Sequence, residues 1–568
     1  MLPTKVYPVT LRVTTKATSN AAWWIKTPSN LNAEKIQKQT KPNSFYRDFK
    51  DLFRNISLHG YKYLFASNFT VWEKLIWLSL HVSMFCVVIV ALSLSWDQFV
   101  GQYFVINLQD PLFPVEKVPF PAVSVCSNNR ISLREAMSYA NELQKKDPAN
   151  HTLDYYLAGI RNFTDFYYKY ENTAKEGDYS NFQAFLDNFE TAENESFFNM
   201  SKIMQRLTPS CKNFIQRCWL AGKEIDCFTK ISFQDSQTMF GPCCTFNLNN
   251  TYAERNYKNR FVGSGSGLIL LLNSSILDEF NTILNIIGYV VIVHNPDDFA
   301  DISSGGSQVV FPTFNQESFV PISARVIDTD DDLRQFHSKN RKCYFDEETA
   351  SPPSPNRQYP YSFVNCVTRY RIRSIMALCG CLPFFMPLEL VGVTFRDGMM
   401  YCNLQHITCL LRYDFKWRSI LTESVNIPGL EREAEDALYC PFCLPSCYDV
   451  QYKISLLSLP TERYAYASRS NDSLLERPNL TVLRVYFNEP TAKYYRRVLA
   501  NTWYEGLSNV GNILSIFIGF CIMAVFEVLY VLSKHLIAGF KKYVKQNNDS
   551  KNAQMKGDIP EVQLYICP

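Results

Sequence analysis

Of the residues that could do chemistry, Glu527 is the most telling. It is the one formal charge in the 23-residue run Val510 to Leu532, VGNILSIFIGFCIMAVFEVLYVL. An intramembrane carboxylate is costly in lipid and normally faces a bundle interior or a water-filled cavity. The same run carries Gly511, Asn512, Ser515, Gly519 and Cys521 among Leu, Ile, Phe and Val. Small residues at helical spacing also permit plain close packing of helices, so Glu527 is the stronger pointer. A ring of such carboxylates favours cations. Two helices cannot enclose a pore, so several chains would have to assemble around one axis. On the residues alone a cation channel is favoured over a two-span receptor.

Cysteine is the second chemical signal. Fifteen of the 18 cysteines lie between Cys126 and Cys447, a concentration that reads as a disulfide framework in an oxidising compartment. The pairs Cys440/Cys443 and Cys379/Cys381 have spacings that zinc also uses, but no metal site is expected there. No catalytic constellation is present: the chain has no HExxH, GxSxG or Walker loop and only seven histidines, which disfavours a membrane-anchored hydrolase. Gly263, Gly265 and Gly267 alternate with serine and lack the GKS/T ending of a phosphate loop. The acidic cluster Asp328, Asp330, Asp331 and Asp332 reads as a solvated turn.

The elements that must position these residues follow from hydropathy and charge. Leu75 to Ser95 runs 21 residues without a formal charge, with Trp72, Trp77 and Trp96 near its ends. That is long enough to cross the bilayer as a helix with interfacial aromatic anchors. With 74 residues ahead of it and no cleavage site after it, it does not read as a signal peptide. Residues 1–74 hold 12 Lys/Arg against 4 Asp/Glu, residues 534–568 hold 6 against 3, and the remainder holds 39 against 47. The basic flanks put both termini in the cytoplasm and about 410 residues outside. Eight sequons fall in that outer segment, at Asn150, Asn162, Asn194, Asn199, Asn249, Asn273, Asn471 and Asn479; Asn55 and Asn68 lie on the cytoplasmic side of the first span or at its edge.

The domain reading is therefore a cytoplasmic region 1–74, a transmembrane helix 75–96, an extracellular domain 97–509, a second transmembrane helix 510–532 and a cytoplasmic tail 533–568. Within the outer domain, 127–205 reads as polar helices, and Cys243 to Ile327 as short strands. The cysteine-dense block 343–447 has helical character at RYRIRSIMALC and EREAEDALYC, and NLTVLRVYFN reads as a last strand before the second span. The fold class is a two-span membrane protein with a large, disulfide-rich α+β ectodomain. A net charge of +3 over 568 residues, with no basic stripe, excludes a nucleic-acid binder.

Five ordered motifs resemble the degenerin/epithelial sodium channel family: His59–Gly60, PFPAVSVCSNNR (119–130), GPCCTFN (241–247), YCPFCLPSC (439–447) and LSNVGNILSIFIGFCIMAVFE (507–527). ALCGCLPFFMP (377–387) and YCPFCLPSC are similar in particular to the insect pickpocket branch. The resemblance covers about residues 55 to 540. It implies a plasma-membrane trimer, homomeric or heteromeric, permeant to sodium, amiloride-sensitive and without a cofactor. Each ectodomain would comprise palm, knuckle, β-ball, finger (about 127–240) and thumb (about 343–447).

Residue roles also follow from the resemblance. The family filter, Gly-x-Ser, matches Gly519, Phe520 and Cys521, so Cys521 stands where Ser is usual. Ser508 matches the position where bulky substitutions jam the pore open. Asn509 stands at the outer mouth, where acid-sensing relatives carry Asp, and Asn512 replaces the second Gly of their Gly-Gly pair. With Gly511, Ser515 and Glu527 these would line the pore, and His59–Gly60 would form a cytoplasmic gating motif. The implied disulfides are Cys126–Cys243, Cys218–Cys227, Cys343–Cys447, Cys366–Cys443, Cys379–Cys409 and Cys381–Cys402, with Cys211 and Cys244 left as an extra pair. Each bridge would contribute ~2–4 kcal/mol. The partner seat four residues after Cys366 holds Tyr370, which makes Cys440 the leading orphan. A non-conducting accessory subunit or a two-span receptor is the alternative.

Overall fold

The computed structural model describes residues 60–65, 68–101, 103–167, 179–190, 198–229, 232–248, 262–273, 278–284, 286–348, 361–391, 399–422, 436–460 and 480–556. The chain divides into two compact units, Leu94–Leu507 and a second made of Met1–Ser93 with Ser508–Pro568.

In the unit Leu94–Leu507, the long strand Gln316–Thr329 organises the larger sheet. Its buried residues alternate as a half-buried strand requires, with Ser318, Val320, Ile322, Ala324 and Val326 inward. On one side it pairs in parallel with Leu480–Phe487 and then Thr491–Leu499. On the other it pairs antiparallel with Asp449–Ile454 and Leu457–Pro460. Leu480–Phe487 continues through Leu268–Asn273 and Ile215–Leu220 to Lys223–Ile225, while Thr491–Leu499 pairs with Phe104–Pro114. A second, five-stranded antiparallel sheet has Ala122–Ser127 and Tyr289–His294 at its centre. Both are buried almost throughout, and YVVIVH in the second is the near-continuous apolar run that such burial favours.

The helical layer is amphipathic. In Leu133–Lys146 the buried residues Ala136, Tyr139, Ala140 and Leu143 recur at helical spacing, and Ser132 caps the start by accepting from the Glu135 N–H. Phe363–Cys379 starts at the Ser362 cap and stops at Gly380, whose φ is +69°. RYRIRSIMALC is helical as predicted. Within 127–205 the described residues form helices from Leu133 onward, whereas Asn129–Ser132 is a short strand and 168–178 and 191–197 lie outside the described residues. EREAEDALYC is different: its first five residues lie outside the described chain, and Leu438–Tyr439 pairs as a short parallel strand with Ile420–Leu421. Phe104–Pro114 and Thr491–Leu499 are strands that hydropathy did not reveal.

Seven disulfides brace this unit: Cys126–Cys243, Cys211–Cys244, Cys218–Cys227, Cys343–Cys447, Cys366–Cys443, Cys379–Cys409 and Cys381–Cys402. Cys440 is a free, buried thiol in a cluster with Val367, Leu438 and Cys443, against which Tyr370 packs. Burial pushes that thiol up to about 11, which keeps it protonated and inert. Tyr370 follows Cys366 by one helical turn, so Tyr370→Cys is expected to form an eighth bridge, to Cys440. Mass spectrometry of the non-reduced variant should find no free thiol in the ectodomain; an unpaired Cys440 would refute the alignment of that seat.

A buried ion pair ties the loop that follows Tyr289–His294 to the helix Phe363–Cys379. Asp301 and Arg371 are 0% and 1% exposed and bonded to each other. Asp301 also accepts from Ser304 and Thr368, and the Arg371 Nε–H donates to the Trp417 carbonyl at 3.0 Å. The acidic cluster is likewise structural: Asp330 caps the 3-10 turn Asp331–Gln335, Asp331 pairs with Arg334 at 2.8 Å, and the Tyr494 hydroxyl donates to Asp328 at 2.5 Å.

Candidate functional site: a broken second span

The first apolar run lies within one helix, Val71–Gly101. Its start is a capping box: the Thr70 N–H donates to the Glu73 carboxylate at 2.7 Å, and the Thr70 hydroxyl accepts from the Glu73 N–H at 3.4 Å. Thr502 repeats half of this device before the second run, its N–H donating to Glu505 at 2.8 Å. Both are T-x-x-E signatures that the hydropathy reading passed over.

The second run is not the single helix that its hydropathy predicts. It is divided between Trp503–Ile518 and Ile522–Lys556, with Gly519, Phe520 and Cys521 outside any helix. Gly519 has φ +74°, the left-handed conformation that glycine adopts without a Cβ penalty. Its N–H closes the upper helix on the Ser515 carbonyl at 3.0 Å, and the Phe520 N–H reaches back to Leu514 at 3.3 Å. The Cys521 carbonyl then accepts from Ala524 and Val525, starting the next helix. Carbonyls at such a break escape the helical ladder, an arrangement tolerated at membrane depth where backbone lines a cavity or is buried in protein.

At about 100° per residue, Ser508, Gly511, Asn512 and Ser515 fall on one stripe of the upper helix, in line with Gly519 below. Asn509 lies about a quarter turn away, on a neighbouring face. The four stripe residues, Asn509, Phe520 and Cys521 are exposed, Gly519 is buried, and Glu527 is half-buried on the lower helix. The polar stripe and the break are thus brought together.

His59 lies outside the described residues. Gly60 is described, and its φ is +75°. A Cβ there would meet the Trp77 ring at 3.1 Å and His81 at 3.2 Å. The following helix, Tyr61–Phe65, sets Tyr63 stacked on Trp77 with centroids 4.7 Å apart and Tyr61 edge-on to His81 at 4.5 Å. Trp77 and His81 are partners of the His-Gly motif that sequence reasoning missed, because they belong to an apolar run read for its length and its interfacial aromatics. Of the sequons, Asn150 is exposed at a turn and Asn162, Asn199 and Asn273 are half-buried; Asn194, Asn249, Asn471 and Asn479 lie outside the described residues. Of the two sequons near the first span, Asn68 is exposed and Asn55 lies outside the described residues.

Two helices long and apolar enough to cross a membrane, a disulfide-braced mixed-sheet unit and a glycine break beside a polar stripe are the features of a two-span membrane protein. The chain belongs to the amiloride-sensitive sodium channel family, whose model matches residues 52–531. That family is one of ion channels, not enzymes. The chain is 25% identical to sodium channel protein Nach of Drosophila melanogaster, over 90% of this chain and 92% of that one. It is 24% identical to pickpocket protein 19 of the same species, over 86% and 90%. To the bile acid-sensitive ion channel of Mus musculus it is 24% identical, over 73% and 74%.

Proposed function

We propose that this chain is a subunit of a trimeric, sodium-permeable, amiloride-sensitive channel of the plasma membrane, with both termini cytoplasmic and no cofactor beyond the permeant ion. The observation that carries this reading is the break at Gly519–Cys521 beneath the stripe Ser508, Gly511, Asn512 and Ser515. Around a threefold axis that stripe forms a polar conduit, and the break supplies backbone carbonyls to replace water around a small cation. Glu527 then raises the local cation concentration below the filter, and Asn509 and Ser508 form the outer mouth. The two sheets, the helical layer and the disulfide-bridged helix Phe363–Cys379 correspond in this reading to palm, β-ball, finger and thumb.

The test is whole-cell recording from cells expressing this chain alone and with a related subunit. Sodium current blocked by amiloride is the expected result. Surface-expressed protein that passes no current in either setting contradicts it. Ser508→Val is expected to give standing current without a stimulus, since a branched apolar side chain on the stripe would hold the conduit apart. A silent but surface-expressed variant would contradict the placement of Ser508.

A further inference from the structure

Below the break, the lower helix Ile522–Lys556 changes character after Leu532. Between Glu527 and Asp549 the chain carries Lys534, Lys541, Lys542 and Lys545 and no acidic residue. Each of these lysines would be costly inside hydrocarbon. The apolar run Val510–Leu532 supplies about 34 Å at 1.5 Å per residue, enough for the hydrocarbon layer without them. The segment Lys534–Lys545 therefore starts at the bilayer surface, where the apolar run ends.

The two sides of this segment differ. At about 100° per residue, Leu536, Ile537, Phe540, Tyr543 and Val544 fall within an arc of about 120°, and Lys534, Lys541 and Lys545 within an arc of about 40° outside it. The five apolar side chains are 40% to 74% exposed, a contiguous stripe of the kind that marks an interaction surface. The three lysines are exposed as well. A broad apolar stripe with lysines on the remaining side is the pattern of a helix that lies in a membrane interface. Gly539 sits within the segment with open space at its Cβ position. Glycine is the weakest helix former after proline, which gives the helix a point at which to tilt onto the surface.

We propose that Lys534–Lys545 docks on an anionic bilayer surface of the phosphatidylserine type, its apolar stripe entering the headgroup boundary and its lysines meeting lipid phosphates and carboxylates. Charge selects this occupant over a second copy of the chain. Packing the stripes of neighbouring copies together would gather their lysines with no acidic residue between Glu527 and Asp549 to offset them. Continuity with the apolar run selects it over a soluble acidic protein, which would need the helix free on all sides. Lys534 and Lys545 are about 16 Å apart along the helix, a spacing that suits a carpet of monoanionic headgroups, whereas a single polyvalent headgroup would need the lysines to converge. Docking is separate from conduction. Nanodiscs present the same lipid on both faces, so it is measurable whichever way the termini point and whether or not the chain carries current.

The experiment is hydrogen–deuterium exchange, read by mass spectrometry, on the purified full-length chain in nanodiscs of phosphatidylcholine alone and with one-third phosphatidylserine. Exchange over 534–545 is expected to slow in the anionic discs by about fivefold or more, the factor that one engaged lysine supplies. Raising sodium chloride from 0.1 to 1 M, which shortens the screening length from about 10 to 3 Å, should remove most of the slowing, as should the triple variant Lys534→Gln, Lys541→Gln and Lys545→Gln. Should that variant misfold, Phe540→Ser with Val544→Ser removes apolar contact instead and should also restore exchange. Equal exchange in the two discs, slowing that survives both high salt and the lysine variant, or slowing produced only by a phosphoinositide at matched charge would overturn the proposal. So would slowing by calcium–calmodulin in neutral discs with none from phosphatidylserine.

Discussion

Gly519→Val is expected to abolish sodium current while the protein still reaches the cell surface. At φ +74° an L-residue pays ~1–2 kcal/mol for its Cβ, and a β-branched residue pays more because its χ1 is restricted. The cheapest relief is to continue the upper helix through Phe520 and Cys521. That would return the freed carbonyls to the helical ladder and close the break that the proposed filter requires. Gly519→Ala, with less steric demand, should retain part of the current. Wild-type current in Gly519→Val at equal surface abundance would show that the left-handed turn has no part in conduction.

The second large effect concerns folding. Arg371→Met leaves Asp301 charged, 0% exposed and without its cation, a change that costs ~3–5 kcal/mol when one partner of a buried pair is removed. The helix Phe363–Cys379 would lose its tie to the loop at 298–304, and Arg371 would no longer hold the Trp417 carbonyl. The expected result is a lower thermal midpoint for the purified protein and reduced delivery to the surface. Adding Asp301→Asn to Arg371→Met removes the orphaned charge and should recover part of the loss. A double variant no more stable than Arg371→Met would show that the pair is not the source of the effect.

Different parts of this molecule were legible to different degrees. A first apolar helix was legible in Leu75–Ser95, which lies within Val71–Gly101, because bilayer thickness imposes a length on any apolar helix. The second helix long and apolar enough to cross a membrane starts only at Ile522, inside the run Val510–Leu532. The helix starts at Thr70, Ser132, Ser362 and Thr502 went unread, although their capping is local chemistry. The break at Gly519 was not legible, since hydropathy is blind to φ and the residues on either side are uniformly apolar. Spacing alone could not assign partners among fifteen cysteines, and only the family resemblance named pairs. Thr491–Leu499 hid as a strand because TAKYYRRVL is rich in charge; in the sheet, Arg496 pairs with Asp330 and Arg497 donates to the Arg341 carbonyl. The strand Phe104–Pro114 was obscured by Asp110 and Pro111 and by two register irregularities against its partner.

The most direct measurement of the central claim is the reversal potential of the current under bi-ionic conditions, with sodium outside and potassium inside, for the native chain and for Cys521→Ser. Cys521 sits at the end of the break, where a thiol is larger and a weaker hydrogen-bonding group than the hydroxyl usual in the family. If Gly519–Cys521 lines the cation path, Cys521→Ser shifts the reversal potential to more positive values, reporting a higher preference for sodium over potassium. An unchanged reversal potential at equal current density would contradict the assignment of this break as the selectivity filter.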